Sequence, residues 1–416
     1  MREDSARSCE SSTVTFETLE CWVREQVQRR IQEIIEDEVA EFLGRERYQR
    51  RGDVDASRGY RNGYGKARRL SLSSGTITVR RPRVRNTEER FESRLLPLFQ
   101  RRTKEVGDLI PTLYLHGLAE GDFELALRGL LGEGAPLSPS SVARLKGKWQ
   151  AEYEAWRSRS LGDEEVVYVW VDGVYVKAGF EKEKAALLVV IGALRDGSKV
   201  VLAVETGYRE SIQSWAALLR DLKARGMSTP KLVIGDGHLG IWGALTEVYP
   251  AAGEQRCWNH RIVNVLDQLP KKAHAPAKAL LTRIPYAETR QEATKQKGTF
   301  RNWCHDKGFS KAAELLDVDW ERMVAFYDFP KAHWKHIRTT NVIESPFASV
   351  RLRTTAAKRF KRVENAVAVI WKVLTVAESR FRKLDAPQLL ADVAEGVQFR
   401  DGTRLRNGRT WEEAAD

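Results

Sequence analysis

Long apolar runs are missing from this 416-residue chain, so no segment reads as a helix able to span a bilayer. The start, Met1-Arg-Glu-Asp-Ser5, has no apolar stretch, and a secretory signal is not expected. Cysteine is scarce: Cys9, Cys21, Cys257 and Cys304 are all there is, at irregular spacing. That argues against a disulfide framework and fits free thiols in a reducing intracellular compartment. Acid is in deficit, with 57 Asp and Glu against 69 Lys and Arg and a net charge of +12. A basic excess points to a polyanionic partner, nucleic acid first, unless the charge is merely dispersed. Hydrophobic residues reach 42%, enough for a globular protein, and the length calls for about two to four domains.

What is present is a repeated phrase. Val166–Val171 runs into Asp172-Gly173, and Lys231–Gly235 runs into Asp236-Gly237. A β-branched run that stops at an acid and a glycine puts a carboxylate at the carboxyl end of a buried strand, where open α/β sheets place their sites. Two such carboxylates on neighbouring strands repel each other, and a divalent cation between them would relieve that.

Around this pair the chain changes character several times. Leu19, Val23, Val27, Ile31, Ile34, Ile35 and Phe42 recur at helical spacing and predict a long amphipathic helix over 16–42. Residues 44–102 are rich in arginine, with Tyr48, Tyr60 and Tyr64 interleaved. A strand pair, Arg69–Ser73 with Thr76–Arg80 about a turn at Ser74-Gly75, is expected to run into the basic stretch Arg80–Arg85. Arginines on both sides of such a ribbon can grip phosphates and reach groove edges; the alternative is a solvated run of charge. Helices are expected at Val106–Leu118, Phe123–Leu131 and Val142–Trp149, the last opened by Ser138-Pro139, as a helix-turn-helix-like unit. Strands at Val166–Val171, Ala185–Leu194, Lys199–Glu205 and Lys231–Gly235, with helices at Ser211–Arg225 and Gly240–Val248, predict three antiparallel strands followed by a parallel one. That is a ribonuclease-H-like order. Residues 259–338 read as helices bearing Trp303, Trp320 and Trp334, and Thr340-Asn341 opens a last basic helical region.

A third acid is needed to hold two cations, and Glu344 is the candidate. Asn341-x-x-Glu344 also fits a capping box, with the carboxylate turned back on the Asn341 amide. Cys257 and His260 offer half a zinc site with Cys304-His305 as the other half, but adjacent Cys and His rarely both reach one metal and the intervening stretch is long, which argues against zinc. Alternatively His260 orients the site or meets a phosphate while Cys257 packs. His238 is either a phosphate contact or a solvent-facing side chain. Lys177, Arg351 and Arg353 are candidate phosphate contacts, and Arg351, Lys358 and Arg362 would share one helix face. Trp258 and the later tryptophans either stack on an unpaired base or pack in a core.

The arrangement of the acids is joined by Tyr60–Tyr64, Arg80–Arg85, Val171–Lys177, Gly235–Gly240, Gln255–His260 and Thr340–Glu344. Together these resemble the IS256-type bacterial insertion-sequence transposases, relatives of the eukaryotic Mutator elements. The resemblance implies an α/β fold: a ribonuclease-H-like catalytic core with an all-helical insertion, preceded by helical and β-ribbon DNA-binding regions. The implied divisions are an N-terminal helix that serves dimerisation (1–44), a basic β-ribbon region (45–105), a helical DNA-binding module (106–160), the first part of the core (161–258), the insertion (259–338), the C-terminal core helices (339–400) and a tail (401–416). It implies a DDE transposase in which Asp172, Asp236 and Glu344 hold Mg²⁺, with Mn²⁺ substituting, and His260 assists. DNA contacts would come from Arg61, Arg68, Arg69, Arg80, Arg81, Arg83 and Arg85 in the ribbon region, and from Lys177, Arg351, Arg353, Lys358 and Arg359 near the acids. The implied partners are double-stranded DNA, both terminal inverted repeats and target, and a second copy of the chain, in the bacterial cytoplasm and not at a membrane. Ser345-Pro346 departs from the family, which more often carries a basic residue there, and Glu120–Leu131 is also less typical. A DNA-binding derivative without cleavage and a nuclease without strand transfer stay open as alternatives.

Overall fold

The computed structural model describes residues 14–49, 58–132, 135, 139–179, 184–207, 210–237 and 239–405. Most of the expected N-terminal tail, the end of the C-terminal tail, Ser138 and His238 lie outside them. The chain forms two compact units, Met1–Leu145 and Lys146–Asp416.

The first unit holds α1 (Leu19–Leu43), β1 (Arg58–Tyr64), β2 (Arg68–Leu72), β3 (Gly75–Val79), β4 (Pro82–Thr87), α2 (Lys104–Leu115), α3 (Phe123–Leu131) and the start of α4 (Pro139–Arg157). The expected long helix forms, and Gly44 ends it in the left-handed conformation (φ 63°) that glycine adopts without strain. Ile35 and the side chains one and two turns on, Val39 and Leu43, face its core. Ile35 packs with Leu70, Ile77, Val79 and Leu96, so α1 lies on the hairpin β2–β3. That hairpin was expected within a residue or so. A second antiparallel pair, β1 with β4, was not. Arg58-Gly-Tyr-Arg-Asn-Gly-Tyr64 has no apolar alternation to reveal a strand, and its Gly59 and Gly63 sit at positive φ.

The second unit is built on a five-stranded sheet in the order β7-β6-β5-β8-β9. Its strands are β5 (Val166–Val176), β6 (Ala185–Leu194), β7 (Lys199–Gly207), β8 (Leu232–Gly235) and β9 (Gly253–Arg256). The first three are antiparallel, β8 runs parallel to β5, and β9 runs parallel to β8. β9 escaped the sequence because Gly-Glu-Gln-Arg has no strand pattern. It forms as an edge whose buried Gln255 is satisfied from outside the sheet: its amide donates to the Met323 carbonyl at 3.1 Å, and its oxygen accepts from the Phe326 amide at 2.8 Å.

Helices cover the sheet. Val169, Val171, Leu188 and Val190 pack with α5 (Ile212–Ala224) and α6 (Leu239–Val248). Side chains alternate along a strand, so Tyr168, Trp170 and Asp172 fall on the opposite face. With both faces covered, β5 reads as a continuous apolar run, not an alternating one. After β9 come α7 (Trp258–Leu266), α8 (His274–Arg283), α9 (Arg290–Asp306), α10 (Ser310–Asp317), α11 (Trp320–Val324) and α12 (Trp334–Ile337). They are followed by α13 (Asn341–Ala357), α14 (Val363–Glu378) and α15 (Gln388–Ala394). The stretch 259–338 is thus helical with short 3₁₀ turns, as expected. Among the described residues no helix is long and apolar enough to cross a membrane.

Two bonds tie the helical stretch to β5. The Tyr168 hydroxyl meets His333 Nδ1 at 2.9 Å, and Trp170 Nε1 donates to the His336 carbonyl at 3.0 Å. Both Tyr168 and His333 are fully buried, so loss of one partner strands the other. Tyr168→Phe is expected to lower the unfolding free energy by about 1–3 kcal/mol in urea titration, with the denaturant slope unchanged.

Candidate active site

The site begins at the β5–β8 pairing. Trp170 lies opposite Ile234 in parallel register, and two residues on the same register brings Asp172 level with Asp236. Asp172 belongs to β5 itself, whereas β8 stops at Gly235 and Asp236 opens the turn after it. One Asp172 oxygen accepts from the Gly173 amide at 2.7 Å. Burial, then the Asp236 charge, pushes the Asp172 carboxyl up to about 7.

Glu344 arrives on α13, which packs against β5. The helix begins at Asn341, with Thr340 as its N-cap, so the Asn341 capping box does not form. Asn341 uses its side-chain oxygen instead to accept from Asn259 at 2.8 Å. The Glu344 carboxylate accepts from the Thr340 hydroxyl and lies 3.8 Å from His260 Nδ1. Pro346 sits in the second turn, and the helix runs through it.

Cys257 and His260 open α7 and meet the start of α13. Cys257 is fully buried, and its sulfur accepts from the Thr340 amide at 3.3 Å. The Thr340 hydroxyl lies 3.1 Å from that sulfur and 3.4 Å from His260 Nδ1. The imidazole is pushed up to about 9 by its hydrogen bond to Cys257 and by the charges of Cys257, Glu344 and Asp236, against the pull of burial. His260 feels Glu344 and Asp236, and Asp172 feels both Asp236 and His260. The three acids and the histidine therefore form one electrostatic group. At neutral pH it carries an imidazolium among carboxylates.

Cys257, His260 and Glu344 have ligand atoms within 4.8 Å of one another, a grouping that would suit a softer metal such as zinc. Cys304 does not join it: this thiol is buried in α9 and pushed up to about 11 by burial. Asp172 and Asp236 offer only carboxylate oxygens, the donor type that hard divalent cations take. Their mutual repulsion is the observation that fits such an ion.

Sequence reasoning missed Glu210. It precedes the α5 cap Ser211, and a Cβ built on Gly173 would come 2.3 Å from its Oε1, so the carboxylate lies over the Asp172-Gly173 step. Its charge also raises Asp172. No spacing marked it, because it stands in the loop after an edge strand.

The expected DNA contacts divide into several groups. Arg69, Arg80, Arg83 and Arg85 are exposed on the ribbons. Arg61 pairs with Glu36 at 2.6 Å, Arg68 donates to the Pro97 and Gln100 carbonyls, and Arg81 donates to the Phe91 carbonyl and covers its ring. Those three shape their unit from within. Near the acids, Lys177, Arg351, Lys358 and Arg359 are exposed. Arg353 is 1% exposed, which removes it as a phosphate contact in this conformation. The shared helix face for Arg351, Lys358 and Arg362 does not form either, because α13 ends at Ala357 and Lys358 turns the chain at φ 58°. Phe360 then bonds the strand end instead, donating to the Lys177 carbonyl at 2.9 Å and accepting from the Gly179 amide at 3.0 Å. Arg359 adds a bond to the Gly179 carbonyl at 2.8 Å. Trp258 is buried and donates to the Met323 carbonyl, Trp320 meets it edge-on, and Trp334 is buried, which favours packing over stacking for these rings.

A raised carboxyl holds its proton more tightly in the folded chain than in the unfolded one. The stability this contributes is full below the ordinary carboxylate pKa of 3.8 and is lost as pH rises through about 7. Asp172→Asn is therefore expected to raise the melting temperature of the metal-free protein at pH 8 and to raise it less at pH 5, as thermal unfolding in chelator would show.

The sequence profile of the family described as "Transposase, Mutator family" matches residues 4–383. The transposase for insertion sequence element IS6120 of Mycolicibacterium smegmatis is 44% identical over 300 residues, covering 72% of this chain and 93% of that protein. The transposase for element IST2 of Acidithiobacillus ferrooxidans is 43% identical over 280 residues, 67% of this chain and 94% of the relative. The transposase for element ISRM5 of Rhizobium meliloti is 28% identical over 354 residues, 84% and 85% of the two chains.

Proposed function

This chain belongs to the Mutator family of transposases, and we propose that it cuts and joins DNA at a single DDE centre made of Asp172, Asp236 and Glu344. The observation that carries the proposal is the placement of Asp172 on β5 and of Asp236 just after the parallel neighbour β8, with the Asp172 proton affinity raised by burial and by the Asp236 charge. Three antiparallel strands, a parallel fourth, a helical stretch and then an acid on a helix support a ribonuclease-H-like core with a helical insertion.

Asp172 supplies oxygen donors from within β5, Asp236 from the turn after β8, and Glu344 supplies the third from α13. Mg²⁺, or Mn²⁺ in its place, supplies when bound there the positive charge that activates an attacking hydroxyl and steadies the leaving oxygen. His260 holds a proton beside Glu344, where an imidazolium can meet a phosphate oxygen. Its proton lasts through neutral pH because Cys257 accepts its hydrogen bond. Lys177 and Arg359 flank the end of β5, joined by the Phe360 bonds, and offer cations to the strand being cut. Water attack would free a 3′-OH at the element end, and attack by that 3′-OH on a second phosphodiester would join the strands.

The exposed arginines Arg69, Arg80, Arg83 and Arg85 are the contacts we assign to the terminal inverted repeats, through phosphates and groove edges. Two ends must be brought together, which calls for at least two copies. The exposed Phe16, just before α1, and Trp22, near its start, suit that contact.

The test is nicking of duplex DNA that carries the element's ends. Wild type is expected to nick in Mg²⁺ or Mn²⁺, and Asp172→Asn, Asp236→Asn and Glu344→Gln are each expected to lose at least about 100-fold. Equal activity in wild type and Asp172→Asn would remove the catalytic assignment. Joined products from a substrate with a free 3′-OH separate strand transfer from simple hydrolysis. Binding without nicking would leave the DNA-binding alternative. Arg83→Ala and Arg85→Ala should each lower the slope of log affinity against log salt by about 1 in binding titrations.

A further inference from the structure

We infer that Asp319 and Arg256 brace the Asp236-Gly237 turn, so that the helical insertion sets how tightly the acid pair takes a divalent cation. The metal half of this inference rests on the catalytic assignment above; the brace itself does not.

Arg256 is the last residue of β9 and lies in register with Gly235 on β8. Its side chain runs over the next turn. A Cβ added to Gly237 would come within 2.2 Å of Arg256 Nε and 2.4 Å of its Cζ, so the guanidinium rests on the glycine itself. Gly237 also stands at φ 97°, a conformation other residues rarely adopt. Glycine is needed there twice over, for the backbone and for the arginine.

Asp319 holds that arginine from outside the sheet. Its Oδ2 accepts from Arg256 at 2.6 Å and from Arg261 at 3.1 Å, and its Oδ1 accepts from Arg322 at 2.8 Å. The first two guanidiniums are nearly buried, with side chains 11% and 1% exposed. Asp319 stands in the left-handed region (φ 63°), which aspartate tolerates better than most residues. Arg261 directly follows His260 on α7. One carboxylate in the insertion therefore ties down both arms of the site: the turn that carries Asp236, and the helix that carries His260.

Charge is what makes this a brace and not just packing. Three guanidiniums meet at this carboxylate; Arg322 also pairs with Glu254, but without the Asp319 charge Arg256 and Arg261 repel each other. Arg256 is then the member nearest the acids, and when it shifts, the turn it covers loosens.

The test uses the full-length protein and the neutral near-isostere Asp319→Asn. Hydrogen exchange at the amides of residues 235–237 is expected to quicken about tenfold, while amides of β6 keep their protection. In calorimetric titration Mn²⁺ is expected to bind about tenfold more weakly, the low end for loss of an outer partner of a metal ligand. Asp319→Glu, which keeps the charge, should recover most of the affinity. Arg256→Lys, which keeps charge but loses the fork, should loosen the turn in the same way and serves if Asp319→Asn does not fold. Unchanged exchange at 235–237 in a folded variant overturns the brace. A loosened turn with unchanged Mn²⁺ affinity overturns its link to the metal. If wild type binds Mn²⁺ no better than Asp236→Asn, the catalytic assignment falls with that link, while the exchange result judges the brace alone.

Discussion

Like charges held level by parallel strand pairing are the constraint around which the second unit is arranged. The β5–β8 pairing runs up to Trp170 and Ile234, two residues before the acids, and so fixes the backbone from which both Asp172 and Asp236 project. Relief has to come from a proton or from positive charge, and the unit provides both. Asp172 retains a proton to near neutrality, and His260 carries one of its own. In energetic terms a divalent cation between the acids would relieve their repulsion, which is what the proposed metal role requires.

The rest of the unit serves to bring polar groups to that point without leaving them stranded. Its central strands are largely buried on both faces, so each polar group they carry needs a partner from the helices. Thr340 does much of the joining. Its amide goes to Cys257, and its hydroxyl lies against Cys257, His260 and Glu344. The cap of α13 is thus spent on the site, not on its own helix. The opposite end of that helix is fastened as well, by the bonds between Phe360 and the residues after β5. Glu344 is held on a helix anchored at both ends.

Much of this could be read from the chain. The β-branched runs announced β5, β6, β7 and β8, and an acid after two of them announced the site. Apolar periodicity announced α1. What stayed hidden depends on tertiary partners. β9 is polar in sequence and exists because Gln255 finds two backbone partners outside the sheet. β1 and β4 pair through arginine- and glycine-rich segments with no alternation to read. Glu210 has no motif, and only the space above Gly173 exposes it. Arg353 looked like its exposed neighbour Arg351, and a helix wheel cannot tell which side meets the core until the neighbouring helices are known. The end of α13 at Ala357 was missed for a related reason: the basic run continues unbroken while the backbone turns at Lys358.

The bonds between Phe360 and the end of β5 join segments far apart in the chain, and this imposes an order in time. During synthesis the N-terminal unit emerges first, then the strands bearing Asp172 and Asp236, and only much later Glu344 and Phe360. Pairings of such long range form late. On the reading proposed above, a nascent chain can therefore meet nearby DNA through its arginines well before its centre is complete. Truncated products that end before residue 344 would keep the contacts and lack the chemistry, and so would compete with the full-length chain for the same DNA.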